Sequence, residues 1–126
     1  MLAITLTDAE AYSIVRRRCK ALSRRMVACP YEIGSTIVAR VREGETTRPY
    51  ALLTVKTIRS MTVGEVTETL AVSEGFSGLP AWGLNQAKIY GGDAGSSGVA
   101  VVRIGFDVEK MLTEADNVGS NNSRAE

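Results

Sequence analysis

The sequence predicts a small mixed α+β domain in which a mainly antiparallel sheet curls into a barrel flanked by helices. Three observations carry this. Apolar residues recur at helical spacing near the N-terminus, the period changes to two around residue 37, and a valine-rich alternating run closes the chain's last apolar segment. Closure into a barrel follows from the need to leave few strand edges exposed.

The helix starts at Thr7, where T-x-x-E with Glu10 has the form of a capping box. Ala11, Val15, Cys19, Leu22 and Met26 then follow at spacings of four, four, three and four, which predicts one buried face running towards Pro30. Arg16, Arg17, Lys20 and Arg24 lie on the opposite face. After the turn-like PYEIGS, Ile37, Ala39 and Val41 alternate with Val38, Arg40 and Arg42, as in a strand with one buried side. The polar EGETTRP turn leads to ALLTVKTIRSM, rich in β-branched residues, which predicts a second strand paired with the first. Residues 62–72 suit strand or short helix. EGFSGLPAWGLNQAKIYGG is predicted as a long connection with a short helix over Leu84 to Tyr90, and GGDAGSSG as a flexible turn. Val102, Ile104, Phe106 and Val108 form the clearest strand. Residues 113–126, which have almost nothing to bury, are predicted as a disordered tail after a single domain over residues 1–112.

Composition narrows the chemistry. The chain of 126 residues has no histidine, so the commonest general base and the Ser-His-Asp arrangement are excluded. Two cysteines, Cys19 and Cys29, are too few for a zinc site without histidine; buried thiols are the expectation, with a bridge or redox role as the alternative. No GxGxxG, Walker-type loop, HExxH or CxxC is present, so neither cofactor nor metal is called for. No apolar run approaches the roughly 20 residues that span a bilayer, and the N-terminus lacks a signal-peptide pattern; a cytoplasmic protein without a membrane partner is the expectation.

Charge is unevenly spread. The formal balance is +1, yet residues 16–59 carry eleven Lys or Arg against three acids. RRRCKALSRR, residues 16–25, alone holds six cations, Arg25 among them, and Arg40, Arg42, Arg48, Lys56 and Arg59 follow. Such a field suits phosphates, with affinity that falls as salt rises. A plain solvated helix face is the alternative. Tyr31, Phe76 and Trp82 are candidates for stacking on bases or for closing the core under a loop. Lys20 and Ser23, three apart, are expected side by side on a helical turn, where neighbouring cations would favour a neutral lysine able to act as base or nucleophile. Glu74, before Gly75, is a candidate acid or base.

These residues together resemble the ASCH domain, a branch of the PUA-like barrel superfamily. Its signature G-x-K-x-x-T-x-R is matched by Arg18-Cys19-Lys20-Ala21-Leu22-Ser23-Arg24-Arg25, with Arg18 in place of glycine and serine in place of threonine. Ile33-Gly34-Ser35 is similar to the family's V-G-D turn without its acid, and E-G-F stands intact as Glu74-Gly75-Phe76. The resemblance implies a PUA-like barrel with a basic cleft beside the first helix that binds RNA, another single-stranded nucleic acid or a modified nucleoside. Arg16, Arg17, Arg24, Arg25, Arg40, Tyr31, Phe76 and Trp82 would be its contacts. Some relatives are amidohydrolases acting on N4-acylcytidine derivatives, and the positions that match their catalytic Lys, Thr and Glu are Lys20, Ser23 and Glu74. A protein-interaction domain without catalysis is the third reading.

Overall fold

A computed structural model describes residues 1–26, 28–92 and 98–112. The expected tail and most of the GGDAGSSG turn lie outside these residues. The elements in chain order are β1 (Ala3–Leu6), α1 (Asp8–Val15), β2 (Ala21–Arg24), β3 (Thr36–Glu43), β4 (Thr46–Thr62), a single 3-10 turn (Val63–Glu65), α2 (Glu68–Ser73), α3 (Leu79–Tyr90) and β5 (Ala100–Met111). The strands make one curled half-barrel in the order β1-β3-β4-β5-β2, with β1 parallel to β3 and the other neighbours antiparallel. Helices flank it, as the mixed α+β reading requires.

The long β4 generates the curl. Its first half pairs with β3 and its second with β5, and register shifts at Leu52/Leu53 and Val55/Thr57 bend it between the two partners. The second shift puts Thr57 opposite Gly105, and a Cβ there would collide with the Thr57 hydroxyl, so only glycine fits. Ile37, Ala39 and Val41 are buried, as are Leu53, Val55, Val102, Ile104 and Phe106, in agreement with the alternation in the sequence. These join Ile4, Leu6, Ile14 and Leu22 in the main core. Met61 and Val101 face the other side of the sheet and meet Val66, Ala71, Phe76 and Trp82 in a second cluster under α2 and α3.

The first helix is shorter than the spacing predicts. Thr7 and Glu10 form the expected capping box, but α1 stops at Val15, and Arg17 takes a positive φ of 61° that a helix does not tolerate. Ala21–Arg24 is then a strand against β5, with all four residues buried. Leu22, which the helical spacing groups with Cys19, lies in a strand covered on both sides, and Cys19 precedes that strand. The short strand β1 is an addition to the expected elements. The helix expected from Leu84 begins at Leu79, because Pro80 stands in the first turn, where no N–H is required of it. Residues 68–73 resolve as helix. Among the described residues, no helix is long and apolar enough to cross a membrane.

Candidate functional site

The buried polar groups form two connected networks. In the first, Arg24 on β2 is 6% exposed and grips Glu10 of α1 through both ends of its guanidinium, at 2.6 and 2.8 Å. The same guanidinium donates to the Ser23 carbonyl and to the Thr5 carbonyl on β1. Asn85 of α3 donates to Glu10 at 2.9 Å and accepts from the Thr7 hydroxyl. Burial alone would disfavour the Arg24 charge, but the hydrogen bonds and opposite charge of Glu10 outweigh it and raise the pKa. Arg24 therefore ties β2, β1 and α1 together, and is not a free cation on a helix surface.

The second network centres on Glu74, the C-cap of α2. Its carboxylate is 1% exposed and accepts from the Ser23 hydroxyl at 2.7 Å, from the Trp82 indole at 3.0 Å and from Arg103 Nε at 3.2 Å. Burial pushes its pKa up, and these three partners offset only part of that. Arg103 also donates to the Ser73 hydroxyl. Gly75 follows with φ of 94°, and a Cβ there would lie 2.6 Å from Ser13 Cβ; the glycine of E-G-F is set by this close approach.

Above Glu74, Ser73 and Gly75 help to line an open hollow of about 710 Å³ whose rim carries Arg17, Arg18 and Lys20 and whose apolar side includes Val72 and Phe76. No acid lines it. Lys20 is held by its main chain, donating to the Ser73 carbonyl at 2.8 Å. Burial pushes the neighbouring Cys19 thiol up to about 12, where it stays protonated. Both cysteines are free.

Of the residues singled out from the sequence, Arg17, Lys20 and Phe76 line this hollow, whereas Arg16 is outside its lining and stacks on Tyr12, its guanidinium 3.4 Å from the ring centroid. Ser23 and Glu74 do meet, but beneath the hollow; Lys20 precedes the strand that carries Ser23, so the two are not neighbours on a helical turn. Trp82 is 2% exposed and Tyr31 spends its hydroxyl on the Ala3 carbonyl, so both rings belong to the core and neither offers a face to a base. Arg40 is engaged with Thr47 on the β3–β4 hairpin, and Arg25 stacks on Tyr90 at 4.9 Å. The sequence presents Glu10 only as part of a cap and gives Arg103 no role. Their partners are fourteen and twenty-nine positions away, and no local pattern announces them.

The same architecture occurs in solved structures. An ASCH domain from Lactobacillus crispatus JV V101 superimposes with a TM-score of 0.65 at 17% identity, over 84% of this chain and 77% of that one. The ASCH protein of Zymomonas mobilis gives 0.62 at 12% identity, over 98% and 82%. The fold is ASCH-like. An Enterococcus faecalis V583 protein of family model DUF984 shares it, with a TM-score of 0.62 at 18% identity over 92% of this chain and 76% of that one. No protein-family model and no curated protein matches the sequence of this ASCH-like domain.

Proposed function

We propose that this ASCH-like domain binds RNA or another single-stranded nucleic acid through the hollow beside α1. The observation that carries the reading is the set of three cations, Arg17, Arg18 and Lys20, on an open cavity with no acid among its described lining residues. Clustered cations suit phosphate oxygens, and the exposed aliphatic side chain of Val72 beside them suits the apolar face of a base. The test is titration of a labelled oligouridylate at several salt concentrations. Arg17→Ala and Lys20→Ala each weaken binding and reduce the salt slope by about 0.7, the value per phosphate contact for single strands. Binding indifferent to salt and to both substitutions overturns the reading.

A second reading, deacylation of an N4-acylcytidine, is favoured by the 2.7 Å hydrogen bond between Ser23 and Glu74, two of the three matching positions. In it Lys20 takes a proton from the water that adds to the amide carbonyl, Ser23 orients the reacting oxygen, and the C–N bond breaks as Glu74 delivers a proton to the leaving amino group, giving the carboxylic acid and the free amine. Glu74 is protonated more readily than an ordinary carboxyl because it is buried. Turnover of N4-acetylcytidine that disappears in Lys20→Ala and Glu74→Gln supports it; no turnover across a panel of N4-acylcytidines removes it.

A further inference from the structure

The basic hollow does not end at Phe76. That side chain is shared with a second hollow of about 580 Å³ on the flank of α1 and α3, where Ala9, Ala81, Leu84 and Ala87 make an almost wholly apolar floor. Leu84 is 72% exposed, unusual for a leucine in the middle of a helix. The second hollow in turn shares Lys88 with a third, of about 390 Å³, which adds Arg42 from β3 and Thr7 and Asp8 from the start of α1. Phe76 borders the first two hollows and Lys88 the second and third, so the three lie in succession along the flank of α1. Cations stand at both ends, Arg17, Arg18 and Lys20 past the helix C-terminus, Lys88 and Arg42 near its N-terminus, with a greasy middle between.

We propose that these hollows are one track, the seat of a single strand of several nucleotides, its phosphates held at the two cationic ends and its intervening bases laid on Leu84 and the alanines beside it. The proposal rests on the nucleic-acid reading above and adds the length and direction of the ligand. Eight helical residues span about 12 Å, and stacked nucleotides advance about 3.4 Å each, so the track accommodates roughly three or four between its anchors. A free nucleoside would reach only one end. An acidic peptide would also find cations, but the apolar middle is better matched to flat bases than to carboxylates.

The experiment compares a labelled dinucleotide with an oligouridylate of about six residues, a length that exceeds the track. For the wild-type protein the longer strand binds at least tenfold more tightly. The double substitution Arg42→Ala with Lys88→Ala, at exposed positions outside the lining of the first hollow, abolishes this gain and lowers the salt slope for the long strand by about 1.4. Leu84→Asp weakens the long strand similarly. Thermal unfolding unchanged from wild type shows that the variants are folded. If the double variant binds the long strand as wild type does while Arg17→Ala and Lys20→Ala still weaken it, the track is wrong and the basic hollow stands. If the wild type binds neither nucleic acid, both proposals fall together. Preference for a poly-glutamate peptide over the long strand overturns the choice of ligand.

Discussion

Replacing Arg24 by methionine separates a structural from a ligand-binding role for the most basic stretch of the chain. The guanidinium makes four hydrogen bonds, two to Glu10 and one each to the Ser23 and Thr5 carbonyls. Without it, a carboxylate that is 0% exposed keeps only the Thr7 N–H and the Asn85 amide. Removing one partner of a buried pair costs about 3–5 kcal/mol, because the remaining charge is stranded in a poorly solvating interior. At about 4 °C per kcal/mol for a domain of this size, the midpoint of thermal unfolding falls by about 12–20 °C. The single tryptophan, Trp82, sits in the second core cluster and reports unfolding by its fluorescence in a urea titration. Glu10→Gln placed on the Arg24→Met background removes the stranded charge but keeps an acceptor for the helix cap, and recovers at least half of the loss. A stability within about 1 kcal/mol of wild type for Arg24→Met, the cost of breaking an exposed pair, would refute the reasoning and return Arg24 to the surface.

The remaining expectations concern Glu74 and its turn. Because burial raises the Glu74 pKa in the folded state, the native protein binds more protons than the unfolded chain above the ordinary value of 4.5. This contribution to stability is therefore fully present below that pH and declines as pH rises through the folded value. Glu74→Gln flattens that part of the stability profile measured by urea unfolding at successive pH values, and an unaltered slope would show that the carboxyl titrates as an exposed one. Gly75→Ala sets a Cβ 2.6 Å from Ser13 Cβ at a left-handed backbone angle and costs about 2–4 kcal/mol by unfolding. A loss below about 0.5 kcal/mol, the level of an ordinary surface change, would mean the E-G-F turn relaxes freely.

How far the sequence reveals the molecule depends on whether the signal is local. The Thr7–Glu10 cap and the alternation in β3, β4 and β5 are contained within a few residues, and the structure reproduces them. The end of α1 is not, since Arg17 reaches its positive φ without a glycine to announce it. Nor is β2: a strand buried on both sides has no alternation, and Cys19, Leu22 and Met26 extend the helical count by coincidence. In β1 the signal existed, as Ile4 and Leu6 are buried in alternation, but four residues are too short a run to stand out. In the site, the meeting of Ser23 and Glu74 followed from the matched motifs, whereas the closing of that carboxylate by Trp82 and Arg103 depends on tertiary packing. The basic run itself is divided: Arg17, Arg18 and Lys20 face the cavity, while Arg24 is drawn inward by an acid that the sequence presents only as a cap.

Among the described residues no main-chain ladder joins β1 to β2, the two outer strands; a single guanidinium bridges them. Such a joint parts as a zip does, from one point, while the rest of the wall stays standing. Amide deuterium uptake confined to these two strands would show that the wall opens first at this joint, the place where its own chain declines to close.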